Sequence, residues 1–193
     1  MFELRIHGRG GQGVVTAAEM VSLAAFAEGA HAQAFPSFGS ERMGAPVVAF
    51  ARISDKEIRN REPVMAPDGL IIQDPTLLFQ VDVFSGLKPE GYILINSSRS
   101  FAELGLGDLS SRHKLERLLT VPATEFAREH VGRPMPNAAL LGGFAALSGV
   151  LSLASVSAAI REKFSGKVGD GNVGAAEASY TYVQQQMKEL ANA

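Results

Sequence analysis

The chain of 193 residues is long enough for one sizeable hydrophobic core and short for two, which predicts a single domain over residues 1–193. Its 18 basic and 20 acidic residues leave a net charge of −2, so the charge balance favours neither nucleic acid nor an anionic membrane as a partner. The absence of cysteine excludes disulfides and thiolate-bound iron–sulfur clusters within the chain. The 4 histidines lack metal-ligand spacing, and no metal site is expected.

The N-terminus begins directly with a strand pattern, Phe2 to Ile6. It lacks the basic segment and the long apolar segment of a secretion signal, and no later run approaches the length of a membrane span. The cytoplasm is therefore the expected location.

A glycine loop, Gly8 to Gly13, joins this first strand to a helix that begins near Val14. Glycines at such a junction leave the first backbone N–H groups of the helix open to an anion. The letters also match the G-x-G-x-x-G pattern of dinucleotide sites. However, the second predicted strand, at about 30–34, runs into Phe35 and Pro36 instead of ending in an acidic residue that could hold a ribose. The loop thus predicts an anion site more than an NAD site, and close packing of helix on strand is the alternative.

Strand and helix patterns alternate along the rest of the chain. Strands are predicted at 47–53, 57–59, 69–73, 92–96 and 118–122, the second of them as an antiparallel return strand. Helices are predicted after Asp74, at 123–131, at 138–148 capped by Asn137, at 155–164 capped by Ser155, and at the C-terminus after a glycine-rich hinge at 166–174. This order predicts a three-layer α/β/α fold with a mixed, mostly parallel sheet.

The segment from Phe35 to Pro46 has two phenylalanines, two prolines and no apolar period. We expect an irregular loop whose aromatic side chains are covered either by the domain's own core or by a partner protein.

Four motifs together carry a family resemblance. They are His7 to Gly13, Gln33 to Pro46, Asp74 to Leu78, and Gly132-Arg133-Pro134 with Asn137. In this order, from the first strand to the last helix, they resemble the gamma subunit of 2-oxoacid oxidoreductases that use ferredoxin or another acceptor, such as pyruvate:ferredoxin oxidoreductase. One departure is Met43, which stands where the family usually has a second basic residue.

The resemblance implies a subunit that is required by a multisubunit enzyme and is not catalytic alone. In such enzymes, alpha and beta subunits hold thiamine diphosphate with Mg²⁺, and cysteine-bearing delta-type subunits or domains hold iron–sulfur clusters. The complex decarboxylates a 2-oxoacid oxidatively to acyl-coenzyme A and CO₂ and passes electrons to ferredoxin or another acceptor. The gamma subunit is expected to shape the access of coenzyme A or substrate and to support assembly. The residues implied in binding are Arg9, Gly10, Gly11, Gln12, Gly13, Ser40, Arg42 and Asn137.

Two other interpretations remain open on the residues. The chain could be a free-standing nucleotide-binding domain that acts through the Gly8–Gly13 loop. It could also be an assembly scaffold in which the glycine loop serves packing alone.

Overall fold

A computed structural model describes residues 1–37 and 43–192 of the chain. The strands of the described chain are β1 (Phe2–Arg9), β2 (His31–Pro36), β3 (Pro46–Ser54), β4 (Gly69–Ile72), β5 (Tyr92–Asn96) and β6 (Leu118–Val121). The helices are α1 (Val14–Ala27), α2 (Gly107–Ser110), α3 (Ala123–Val131), α4 (Asn137–Ser148), α5 (Leu153–Lys163) and α6 (Gly166–Ala191), with short 3-10 helices at Pro75–Phe79 and Leu115–Arg117.

The strands form one sheet in the order β2-β3-β1-β4-β5-β6. β3 runs antiparallel to both β1 and β2, whereas β1, β4, β5 and β6 are mutually parallel. The predicted α/β class, mixed sheet and single domain are therefore confirmed, as is the position of β6 at the sheet edge. The antiparallel pairs of the sheet are both formed by β3 and not by the predicted return strand.

The predicted return strand at 57–59 is wrong, because these residues have no regular structure. Their segment is instead tied to the sheet by Arg52, whose guanidinium donates to the carbonyl oxygens of Asn60 at 3.3 Å and Glu62 at 2.6 Å. A side chain with only 1% exposure thus replaces a ladder of backbone hydrogen bonds.

The two faces of the sheet are covered differently. One hydrophobic cluster joins one face of the sheet to the helices α1, α3, α4, α5 and α6, and α4, which is apolar except at its two ends, lies within it. A second cluster covers the other face of β4, β5 and β6 with the 3-10 helix Pro75–Phe79, α2 and connecting loops. The third layer is therefore built from short helices and loops.

The predicted hinge at 166–174 is wrong, since α6 runs unbroken from Gly166 to Ala191. Its glycines permit close helix packing: a Cβ at Gly171 or Gly174 would overlap His130 of α3. Small residues at these crossings let the backbones of the two helices approach each other. Glycines have low helix propensity, so the sequence pattern alone predicted a flexible hinge here.

Two helix starts also differ from the predictions. Asn137 is the first residue of α4 and not its cap, and Ser152, not Ser155, caps α5 by accepting the Ser155 N–H at 3.1 Å. At the other end of the chain, β2 extends through Phe35 and Pro36, so this part of the predicted irregular loop is a strand.

Candidate functional site

The glycine loop changes the direction of the chain between β1 and α1. Gly11 has φ +91° and Gly13 has φ +69°, backbone conformations that side-chain-bearing residues rarely adopt. The Gln12 N–H donates to the Arg9 carbonyl at 3.0 Å and closes the turn. Gly13 occupies the position before the helix, so no side chain there can satisfy the first N–H groups of α1.

These N–H groups face an open pocket of about 140 Å³. Among residues 1–37 and 43–192, no acceptor pairs with the N–H groups of Gly11, Gly13, Val14, Val15 and Thr16. The described lining contains no carboxylate and consists of Arg9, Gly10, Gly11, Gly13, Val14, Val15, Thr16 and Val47. Unsatisfied N–H groups and the positive end of a helix dipole suit a phosphate or carboxylate group.

Arg9 lies at the rim of this pocket, but its guanidinium is engaged by the protein. Nε donates to Asp74 Oδ2 at 3.1 Å, and Nη1 donates to the Gly44 carbonyl at 3.0 Å. Nη2 donates to both Thr76 Oγ1 at 2.7 Å and Gln80 Oε1 at 2.9 Å. A guanidinium has five N–H donors, so these contacts leave little capacity for a ligand.

Gln12 points into the protein and closes the loop from behind. Its Oε1 accepts the Arg9 N–H at 2.8 Å, and its Nε2 donates to Asp74 Oδ2 at 2.9 Å. Gln73 adds a third link by donating from Nε2 to the Gln12 carbonyl at 2.9 Å. Gln12 therefore shapes the loop, while the backbone faces the pocket.

Asp74 is the acidic centre of this network and also caps the following 3-10 helix, as the sequence predicts, by accepting the Thr76 N–H at 3.0 Å. Burial acts to raise the pKa of Asp74, but hydrogen bonds from Thr76 and Gln12 and the charge of Arg9 outweigh it and lower that pKa. The Arg9–Asp74 pair links the carboxyl ends of β1 and β4, from which the chain leaves toward opposite faces of the sheet. This is the topological switch point, where open α/β sheets bind ligands.

Asn137 reaches the loop from α4. Its side chain is almost fully buried, and its Nδ2 lies 3.4 Å from the Gly13 carbonyl oxygen. A Cβ at Gly13 would overlap this amide, so Asn137 packs on the loop and supports its shape.

The segment from Met43 to Ala45 packs beside the glycine loop. The Gly10 N–H donates to the Ala45 carbonyl at 2.9 Å, and the Gly44 N–H donates to the Gly10 carbonyl at 3.0 Å. Met43 lies over Gly11. The predicted site residues Ser40 and Arg42 lie outside the described residues.

His7, at the end of β1, is structural. It is buried, and its Nε2 accepts a hydrogen bond from Arg5 Nε at 2.9 Å. Burial and the neighbouring Arg5 charge lower its pKa to about 3. The imidazole is therefore neutral at pH 7.

Sequence reasoning placed Gly10, Gly11, Gly13 and Arg9 at one site, and the structure brings them together. It missed Gln73, Thr76 and Gln80, since neutral residues 61 to 71 positions from the loop give no local signal of a contact with it. Within the described ranges, no group of three or more acidic or histidine side chains could hold a metal ion. No helix in this part of the chain is both long and apolar enough to cross a membrane.

The fold and the site together define an α/β domain with a glycine loop and open N–H groups at its switch point. Comparison with known proteins identifies the family: the model described as pyruvate ferredoxin/flavodoxin oxidoreductase matches residues 3–182. The chain belongs to this family.

The relatives are gamma-type subunits. The chain is 47% identical to pyruvate synthase subunit PorC of Methanothermobacter marburgensis over 180 residues, which cover 93% of this chain and 96% of that one. It is 46% identical over 180 residues to the common subunit gamma of the pyruvate/ketoisovalerate oxidoreductases of Pyrococcus furiosus, with the same coverage. The crystal structure of pyruvate oxidoreductase subunit PORC from Thermotoga maritima aligns with a TM-score of 0.80 and 34% identity, covering 93% of this chain and 95% of that one. The resemblance inferred from the motifs is confirmed, and with it the prediction that the chain is a subunit of an oxidoreductase.

Proposed function

We propose that this chain serves a thiamine-diphosphate-dependent 2-oxoacid:ferredoxin oxidoreductase by binding an anionic group of coenzyme A at the glycine loop. In the assembled enzyme, a 2-oxoacid such as pyruvate, or a branched-chain or aromatic 2-oxoacid, reacts with coenzyme A to give acyl-coenzyme A and CO₂, and two electrons leave toward ferredoxin or another acceptor. Thiamine diphosphate, held by other subunits, would supply the electron sink that decarboxylation requires. The chain contributes binding and position.

The observation that carries this proposal is that the N–H groups of Gly11, Gly13, Val14, Val15 and Thr16 have no acceptor in the described chain. They surround a pocket of about 140 Å³, a size that suits a single phosphate group more than a whole nucleotide. Coenzyme A is the substrate of the family's reaction that carries phosphates. Ser40 and Arg42, which precede Met43 in the sequence, are proposed to complete the site.

The remaining cofactors belong to other subunits in this proposal. Iron–sulfur clusters need thiolates, and the sequence has no cysteine. The alpha, beta and delta-type subunits are therefore the proposed partners, with ferredoxin or another acceptor reached through them.

A charge placed inside the pocket tests the proposal. Thr16 is the third residue of α1, whose first turn has no acidic residue. In Thr16→Asp, the new carboxylate should stabilise α1 by its interaction with the positive end of the helix dipole. The same negative charge should repel an anion from the N–H groups of the pocket. We expect the Michaelis constant for coenzyme A to rise about tenfold, equivalent to about 1.4 kcal/mol, in the assembled enzyme.

The matched control is Thr16→Asn, which has nearly the same shape without the charge. Decarboxylation measured without coenzyme A should be normal in both variants. An unchanged coenzyme A response in Thr16→Asp would mean that the loop is structural, as the scaffold alternative predicts.

The nucleotide-binding alternative rests on the same N–H groups, which would equally accept a nucleotide phosphate. Against it, β2 ends with Phe35 and Pro36 and provides no acidic side chain for a ribose. Titration of the purified chain with NAD and ATP distinguishes the two: tight binding of either would favour the alternative.

A further inference from the structure

We propose that Arg9 is a positioning residue for the coenzyme A site and not a ligand of the anion. This inference rests on the proposed function. Arg9 is the conspicuous cation of the glycine loop, and its side chain is 19% exposed. The contacts of its guanidinium assign it a different task.

The guanidinium joins three separate segments. It starts from the end of β1, reaches the segment beside the glycine loop through the Gly44 carbonyl, and reaches the turn after β4 through Asp74, Thr76 and Gln80. The planar guanidinium has several donors in a fixed geometry, so it can hydrogen-bond acceptors on different segments at the same time. A lysine ammonium on a flexible stem does this poorly.

The same contacts remove most of the attraction of Arg9 for an anion. Asp74 carries the opposite charge 3.1 Å from Nε, and its pKa is lowered, so it is ionised at pH 7. A phosphate in the pocket would meet a neutralised pair. The attraction must then come from the backbone N–H groups and the helix dipole.

Loss of Arg9 should loosen the glycine loop. Hydrogen bonds join Gly10 of the loop to the Gly44–Ala45 segment, and Arg9 adds a further link to this segment through the Gly44 carbonyl. Without this support, the N–H groups that face the ligand lose their fixed geometry. Binding then weakens although no ligand contact has been removed.

The substitution Asp74→Asn separates the two roles because they predict opposite signs. If Arg9 binds the anion, removal of the neighbouring negative charge frees it, and the Michaelis constant for coenzyme A should fall. If Arg9 positions the loop, the weakened link should raise that constant, by about threefold to tenfold. The measurement uses the assembled enzyme, with the rate of decarboxylation without coenzyme A as the internal reference.

Substitutions of Arg9 itself provide the second comparison. Arg9→Lys keeps the charge and loses the fork, so a positioning role predicts a Michaelis constant close to that of Arg9→Ala, while a ligand role predicts one close to the unsubstituted enzyme. Arg128→Ala is the matched control, because this exposed arginine lies at a different pocket, beyond the ends of β5 and β6. It should leave the constant unchanged.

Milder variants keep the test valid if the Arg9 or Asp74 variants fail to assemble. Thr76→Val and Gln80→Met each remove one acceptor of Nη2 on the exposed side. The proposal expects a rise of about twofold to fivefold in the Michaelis constant for coenzyme A, with normal decarboxylation in its absence. A fall in that constant, or no change in either variant, would overturn it.

Failure of the positioning role of Arg9 can be distinguished from failure of the proposed coenzyme A site. If Thr16→Asp leaves the coenzyme A response unchanged, the glycine loop is not the anion site, whatever Arg9 does. If Thr16→Asp weakens coenzyme A binding while Asp74→Asn strengthens it, the site stands and Arg9 is a direct ligand.

Discussion

Asn137 packs on Gly13 across 124 residues of sequence, with Nδ2 3.4 Å from the Gly13 carbonyl oxygen. The contact joins the first residue of α4 to the residue before α1. One helix thereby fixes the conformation of the loop that precedes another, and this loop carries the candidate site.

The pairing of Gly13 and Asn137 predicts a partial rescue. Gly13→Ala should lower the free energy of unfolding by about 2–4 kcal/mol, because the new Cβ overlaps the Asn137 amide and φ is +69°. Combining it with Asn137→Ala removes the overlap and leaves the backbone strain. Denaturant unfolding of the purified chain should therefore show a double variant less destabilised than the sum of the single ones. Strict additivity would contradict the contact.

Gly142 of α4 should be intolerant of any side chain for a different reason. A Cβ there would overlap the Ala176 carbonyl of α6, a backbone group that cannot move aside. We expect Gly142→Ala to cost about 1–3 kcal/mol or more in thermal or denaturant unfolding. Gly107→Ala is the control: nothing lies within 4 Å of the new Cβ, and the substitution should be neutral or slightly stabilising. Equal effects at the two positions would argue against the close crossing of α4 and α6.

His7 predicts a dependence of stability on pH. Its pKa is about 3 in the folded chain against an ordinary 6.5, so the folded state binds fewer protons than the unfolded state between these values. The stability it contributes is fully present above pH 6.5 and is lost as the pH falls toward 3. Between pH 6.5 and pH 5 the loss should be about 2 kcal/mol.

His7→Gln isolates this contribution, because its amide oxygen can still accept from Arg5 Nε but does not titrate. The free energy of unfolding, measured by denaturant at pH 5 and pH 7, should then change much less between the two. Asp74 does not interfere in this window, since its pKa is below its ordinary value. The same slope in His7→Gln and the unsubstituted chain would show that another group is responsible.

The sequence predicted those features that depend on local pattern. Apolar runs placed the parallel strands, and the glycines placed the loop between β1 and α1. Features that depend on distant partners were missed: the glycines of α6 indicated a hinge until the contact with His130 was known. From the sequence, Arg9 similarly resembles an unpaired cation, because no local pattern shows that it forms an ion pair with Asp74, 65 positions later.

The surface beside the site gives a prediction for assembly. Phe79, at the end of the 3-10 helix, is 75% exposed, and Met43, across Arg9 from it, is 87% exposed. Exposed large apolar side chains next to a site that must meet other subunits are expected to contact those subunits. Phe79→Ser should therefore weaken co-purification with the partner chains and leave the melting temperature of the purified chain within about 1–2 °C of the unsubstituted value.

Phe35→Ser is the control for Phe79→Ser, because it also replaces a phenylalanine by serine. The Phe35 ring is half-buried, with its centroid 5.2 Å from that of Phe50 and 5.3 Å from the guanidinium carbon of Arg52. Its loss should lower the melting temperature by several degrees, through an unfolding cost of about 1–3 kcal/mol. The sequence left open whether the domain's own core or a partner covers Phe35 and Phe38. Phe38 lies outside the described residues, and Phe38→Ser is expected to behave like Phe79→Ser. A melting temperature lowered more by Phe79→Ser than by Phe35→Ser, with co-purification intact, would place Phe79 in the domain's own packing and remove the proposed contact.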